Sequence, residues 1–176
     1  MIKLYTGELR LSAASLRAGD AVTLSGTVYT ARDAAHKRIS EMTESGIDLP
    51  FSLQDAVIYY AGPTRTPRGR VCGAFGPTTS CRMDAFTPLM LKLGVAATIG
   101  KGTRSEDVIK SIIKYKCPYF AALGGAGALA ARHITENEVT AFEELGCESV
   151  KRLVFDNFPL YVAVDIYGNS IYERRN

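Results

Sequence analysis

An α/β domain built on a mixed sheet is the fold class this sequence predicts, and three observations predict it. Strand-type apolar stretches alternate with helical stretches along the chain, and the connections between them are short. No repeat or linker divides the 176 residues, so one unit covering 1–176 is expected, long enough to bury a sizeable core. Strand-type sequence dominates both ends, so parallel and antiparallel pairings must coexist.

In chain order, residues 2–11 alternate loosely and predict a first strand region, followed by a helical or irregular stretch over 12–17. Ala18-Gly19-Asp20 is turn chemistry. Residues 21–29 carry the β-branched and aromatic content of strands, interrupted by Gly26. Thr30-Ala31-Arg32-Asp33 has the spacing of a capping box. It predicts a helix with Ala31, Ala35, Ile39 and Met42 as its apolar stripe, ended by Gly46. Residues 56–61 predict a buried strand stopped by Gly62-Pro63, and 64–70 a basic loop. The run 71–75 has strand length, 83–93 is dense in helix formers, and 94–99 predicts another strand. Ser105 caps a helix reaching about Tyr115, with Val108, Ile109, Ile112 and Ile113 as its buried face. A short strand at 118–122, a glycine-rich lead-in to a small-residue helix at 124–130 and a short helix at 138–145 follow. Residues 150–155 and 160–165 read as the last two strands, before a turn at Gly168-Asn169.

Composition narrows the function classes. Apolar residues make up 47% and charged residues 22%, as in globular chains. The formal net charge is only +3, and the cations are scattered, with short pairs such as Lys37-Arg38 and Arg174-Arg175. Nucleic acid is therefore not an expected partner. No run of about 18 apolar residues could span a membrane, and the opening eight residues lack a signal-peptide core, so the cytoplasm is the expected compartment. Cys72, Cys81, Cys117 and Cys147 show no metal-ligand spacing, and with His36 and His133 as the only histidines no metal centre is expected from this chain alone.

The stretch Gly76-Pro77-Thr78-Thr79-Ser80-Cys81-Arg82-Met83-Asp84 carries the most chemistry. It is expected where a strand turns into a helix, and a helix start presents free N–H groups and partial positive charge. Thr78, Thr79 and Ser80 offer hydroxyls, any of which could cap that helix. Arg82 can reach back over the same end, a combination suited to a carboxylate or phosphate. A capped helix with a surface arginine is the alternative from this segment alone. Arg32 sits in the first turn of its helix, where the dipole disfavours a cation, which points to a bound anion or to an ordinary exposed arginine. His36 reads as structural. Lys101, between Gly100 and Gly102, stands at a strand's carboxyl end, where α/β sheets hold ligands. The P-loop pattern is not satisfied there, so nucleotide binding is set aside. Arg65, Arg68 and Arg70 read as a solvated loop or as anion-gathering. The glycines at 124–127 resemble a phosphate loop, and close packing explains them equally. Arg32, Arg82, Lys101 and the Thr78 hydroxyl together would suit a dicarboxylate. No carboxylate or histidine is placed as an obvious strong base, so these residues read as half of an active site.

Four motifs occur in one family's order: Ala-Arg-Asp-Ala-Ala-His-Lys-Arg, Gly-Pro-Thr-Thr-Ser-Cys-Arg-Met-Asp, Ile-Gly-Lys-Gly and Gly-Gly-Ala-Gly-Ala-Leu-Ala. Through them the chain closely resembles the β subunit, or C-terminal domain, of class I iron–sulfur-dependent fumarate hydratase and L(+)-tartrate dehydratase. The resemblance runs over essentially the full length, to Asp165-Ile166-Tyr167-Gly168-Asn169. It implies a swivelling β/β/α domain like the mobile domain of aconitases. It also implies a [4Fe-4S] cluster held by cysteines of a partner α subunit, with one iron binding the substrate, and none of this chain's cysteines as ligands. Arg32, Arg82 and Lys101 match the family's substrate-binding cations, and Thr78 matches its proposed proton-abstracting hydroxyl, assisted by an acidic group of the partner. The implied reaction is reversible hydration of a dicarboxylate double bond, with fumarate and (S)-malate as the leading pair. Tartrate or a related dicarboxylate is the first alternative, and a non-catalytic anion-binding or scaffold domain the second. Because β-type sequence starts at Met1, a separate subunit in an (αβ)2 assembly is expected, inactive without its α partner.

Overall fold

The computed structural model describes residues 1–173, and the Arg174-Arg175 pair lies outside them. The strands are β1 (Ile2–Tyr5), β2 (Ala21–Thr30), β3 (Val57–Tyr59), β4 (Ala61–Pro63), β5 (Phe75–Pro77), β6 (Ala97–Gly100), β7 (Tyr119–Ala121), β8 (Ile134–Ala141) and β9 (Val150–Val164). The helices are α1 (Leu9–Ser12), α2 (Asp33–Glu44), α3 (Thr87–Lys92), α4 (Glu106–Tyr115) and α5 (Gly127–Ala130).

Seven strands form one mixed sheet, and β4 and β5 form a separate antiparallel pair. The steps β1–β2, β2–β3, β3–β6 and β6–β7 are parallel. Strand β9 runs antiparallel to β2, β7 and β8. Because β9 pairs with β2 on one edge and β7 on the other, the neighbours β2, β3, β6, β7 and β9 close into a ring. The mixed sheet expected from the strand-rich ends is present.

Two-residue alternation sorts the strand side chains between two cores. Val57 and Tyr59 face inward with Val22, Leu24, Val28, Ile99, Phe120 and Leu160. Ile58 and Tyr60 face outward, where Ala35 and Ile39 of α2, Met90 of α3 and Val108 and Ile112 of α4 cover them. Within the inner core Phe155 stacks on Phe158 at 4.1 Å, and Tyr59 meets both edge-on. Each such ring removed from water contributes about 1.5–3 kcal/mol, so the ring interior is a packed core and not a pore.

Several elements differ from the sequence expectations. Strand β1 stops at Tyr5, and short helical turns fill the stretch to Ser15. The strand expected at 71–75 forms later, at Phe75–Pro77, so Gly76 and Pro77 are strand residues. The helix expected from 83 starts at Thr87, after a 3-10 turn over Ser80–Met83. Thr30 does not cap α2: its hydroxyl accepts from Lys151 N–H at 3.0 Å, tying β2 to β9. The helix expected at 138–145 is instead the end of β8 followed by a 3-10 turn. On that edge strand Glu136 and Glu138 flank Arg152 of β9 at 2.6 and 3.6 Å, and the acidic edge discourages further strand pairing. The two last strands expected at 150–155 and 160–165 are one, β9. Its polar Asp156-Asn157 step is absorbed by a bulge rather than a turn, with Asn157 at φ +48 and its N–H donating to Ser25 Oγ at 2.9 Å.

Candidate active site

Parallel strands β2, β3, β6 and β7 deliver their carboxyl ends to one side of the sheet, and the residues singled out from the sequence follow those ends. Arg32 comes two residues after β2, Lys101 immediately after β6, and Gly124 and Gly127 shortly after β7. The β3 end continues through Tyr60 into β4, whose partner β5 leads directly to Thr78.

Backbone bonds fix how these pieces meet. Thr78 N–H donates to the Tyr60 carbonyl at 2.6 Å, and Ser80 N–H donates to the Lys101 carbonyl at 2.8 Å. A parallel bridge joins Thr79 to Lys101. Two of the amides expected to be free at a helix start are therefore spent on neighbouring strands, and none of Thr78, Thr79 or Ser80 caps a helix through its side chain. What this segment offers a ligand is side chains: the half-buried Thr78 and the exposed Arg82 and Lys101.

Both arginines hold carboxylates. Arg82 Nε donates to Asp33 Oδ1 at 3.1 Å, and its Nη2 lies 2.8 Å from Oδ2, which joins the Arg82 segment to the start of α2. Arg32 Nη2 lies 3.1 Å from Glu148, whose other oxygen accepts from Ala34 N–H at 3.0 Å. Glu148 thus occupies the positive start of α2 beside Arg32. Arg32 Nε is buried with no acceptor among the described residues. An orphaned guanidinium N–H is costly unless something outside these residues satisfies it. Gly62 makes room for this arginine, since a Cβ there would stand 3.1 Å from Arg32 Nη1. Lys101 has no ion-pair partner among the described residues, and its stem runs past Gly124.

His36 lies one turn into α2 and is fully buried. Its Nδ1 sits 2.8 Å from the Arg32 carbonyl oxygen, so Nδ1–H donates and Nε2 is left without a partner against the Tyr60 and Phe86 rings. Burial, reinforced by the Arg104 charge, pushes its pKa down to about 4, so the ring is neutral at pH 7. The structural role expected for it holds.

Beneath the Thr78–Lys101 surface lies a polar layer whose roles were not read from the sequence. Arg104 is buried and donates through Nε to Asp84 at 2.7 Å and through Nη2 to Thr87 Oγ1 at 2.6 Å. Its guanidinium lies between the Tyr60 and Tyr119 rings, with centroid distances of 5.2 and 5.0 Å. Burial works against its charge, but the Tyr60 oxygen and the Asp84 carboxylate outweigh it and hold the pKa above the ordinary arginine value. Asp84 closes the Gly-Pro-Thr-Thr-Ser-Cys-Arg-Met-Asp motif, and Arg104 stands two residues past Ile-Gly-Lys-Gly. A charge at or just beyond the end of each motif was the signal available.

The glycine-rich stretch serves packing. A Cβ on Gly127 would approach Gly76 N to 3.0 Å, so α5 lies directly on strand β5. The arginines at 65, 68 and 70 lie exposed on the loop between β4 and β5. Among the described residues, no group of three or more His, Cys, Asp or Glu side chains is placed to hold a metal ion. Cys72 and Cys117 are buried, and Cys81 and Cys147 are exposed on separate elements. The residues described here do not fit an iron–sulfur cluster. Among them no helix is long and apolar enough to cross a membrane.

Known proteins resemble this chain over nearly its whole length. Residues 1–175 match the family described as Fumarase C-terminus. The putative L(+)-tartrate dehydratase subunit beta of Methanocaldococcus jannaschii is 43% identical over 167 residues, covering 92% of this chain and 86% of that protein. Fumarate hydratase 2 of Leishmania major is 38% identical over 175 residues, covering 98% of this chain and 31% of that protein. The anaerobic class I fumarate hydratase of Escherichia coli is 36% identical over 155 residues, covering 87% and 28%. The chain thus spans about a third of the length of the two fumarate hydratases.

Proposed function

We propose, from the premise that this chain belongs to the fumarase C-terminus family of hydro-lyases, that it is the β subunit of a two-chain enzyme interconverting fumarate and (S)-malate. The observation that supports this reading is the backbone bracing of the Thr78 segment against Tyr60 and Lys101, with Arg82 tied through Asp33 to the start of α2, which Arg32 precedes. Two arginines and a lysine from three separate segments suit two carboxylates held a fixed distance apart.

In this reading the substrate's carboxylates displace or join Asp33 and Glu148 on the arginines. The orphaned Arg32 Nε–H then gains an acceptor. Lys101 supplies a point charge to the second carboxylate. Thr78 handles the proton at the carbon that does not carry the hydroxyl. A threonine hydroxyl is a poor base in water, so nearby cations must favour its deprotonated form or a carboxylate of the partner must take the proton onward. The [4Fe-4S] cluster is assigned to the α subunit, since the described residues here do not fit it. The assembly is proposed to be cytoplasmic and of (αβ)2 type.

Thr78→Val tests the proton role at nearly constant volume. It is expected to lower kcat more than it raises KM in the assembled enzyme, whereas an unchanged kcat would remove Thr78 from the chemistry. Tartrate is the second substrate reading, favoured by one observation: the relative named as a tartrate dehydratase subunit is aligned over most of its own length. Activity ratios on fumarate and tartrate separate the two.

A further inference from the structure

We infer that the buried cluster of Arg104, Asp84, Tyr119 and Ser80 is a positioning device that holds Lys101 in register with Thr78 and Arg82. The inference rests on the hydratase reading of that surface. Two loops carry the surface side chains, 78–84 and 100–105, and the cluster fastens each to the other at several points. Tyr119 Oη donates to the Gly102 carbonyl at 2.9 Å and lies 2.9 Å from Ser80 Oγ, so one hydroxyl from β7 joins both loops. Asp84 accepts from Arg104 Nε through one oxygen and from Ser105 N–H at 2.7 Å through the other. Arg104 in turn donates to Thr87 Oγ1 at 2.6 Å, and its Nη atoms lie 3.4 Å from Thr98 Oγ1 and Tyr60 Oη. Lys101 and Thr79, bridged through their backbones, sit on top of these fastenings.

The energetics favour a geometric role. A buried ion pair is rarely more stabilising than apolar side chains of the same volume, because desolvation offsets the Coulomb attraction. A cluster that fixes directions at both ends of two loops acts on where their exposed side chains stand. Catalytic groups lose efficiency steeply with displacement, so supports of this kind act through the residues they hold. None of the four touches substrate in this reading.

Tyr119→Phe is the gentlest probe, because it keeps the ring beside Arg104 and removes only the hydroxyl that joins the loops. Arg104→Lys is the second, keeping the charge and losing the fork. Both are measured in the full chain assembled with its α partner, by amide hydrogen exchange and by steady-state kinetics on fumarate and tartrate. The expected result is faster exchange confined to 78–84 and 100–105, with kcat/KM lower by on the order of 10- to 100-fold. In a Lys101→Arg background, which keeps the cation but changes its reach, the further loss from Tyr119→Phe should shrink to about twofold or less, because the two act through one interaction. Faster exchange with unchanged kinetics would make the cluster merely structural and overturn the inference. Unchanged exchange, or losses that multiply in full with Lys101→Arg, would overturn it as well. If the wild-type assembly hydrates neither acid, the hydratase reading falls by itself, and exchange alone decides whether the cluster holds the loops.

Discussion

Arg82 is half exposed and already shares its charge with Asp33. A pair of that kind contributes about 1 kcal/mol or less to stability, so an incoming dicarboxylate can replace it at little cost. Arg82→Ala is therefore expected to leave the unfolding midpoint nearly unchanged while reducing turnover of the assembled enzyme to background. Lys101→Ala, at an exposed loop position, should behave alike. Calorimetry alongside a hydration assay checks both, and loss of soluble protein in either would recast that residue as structural. His36 gives a pH prediction of definite sign. Its folded pKa, about 4, lies below the unfolded value near 6.5, so the unfolded chain binds the extra proton. Its contribution is fully present above pH 6.5 and is lost as pH falls toward 4, amounting to about 2 kcal/mol at pH 5. Urea unfolding at pH 7.5 and 5 should show that loss in the wild type and not in His36→Gln; equal losses would place the titration elsewhere.

At the level of elements, legibility followed locality. Helix α4 was readable because Ser105, Glu106 and Asp107 mark its start and Val108 and Ile112 its buried face, although Ile109 is only half-buried and Ile113, also expected there, is exposed. Strand β8 was not, because its acidic side chains are explained only by Arg152 on the next strand, 16 residues beyond Glu136. The continuity of β9 depends on a bulge that Ser25 of β2 completes, which no local pattern announces. Gly100 shows the same principle in a testable form. A Cβ there would collide with Ser80 Oγ and stand 2.9 Å from Tyr60 Cδ2, both members of the polar layer under the site. Gly100→Ala should cost about 1–3 kcal/mol of stability and raise KM through displacement of Lys101. A variant with wild-type melting and wild-type KM would contradict the packing described.

Across the whole molecule, Arg32, Thr78, Arg82 and Lys101 were legible and were read together as half of a site, but the strand order that sets their segments beside one another was not. The parallel order β2-β3-β6-β7 sets the ends of four strands side by side, and β9 closes the same ring. The buried Arg104–Asp84 pair stayed hidden for the same reason: its members are 20 residues apart and meet only through that order. Among the described residues, no group of three or more His, Cys, Asp or Glu beside these cations is placed to hold a metal ion. The most direct test is anaerobic capture of the full chain from its own cells, followed by assay of the captured material for iron and for hydration of fumarate and tartrate. A co-purifying iron–sulfur protein with turnover on one of the two acids, abolished by Lys101→Ala, is the predicted result. Capture with neither partner nor iron, or full turnover by this chain alone, would contradict it.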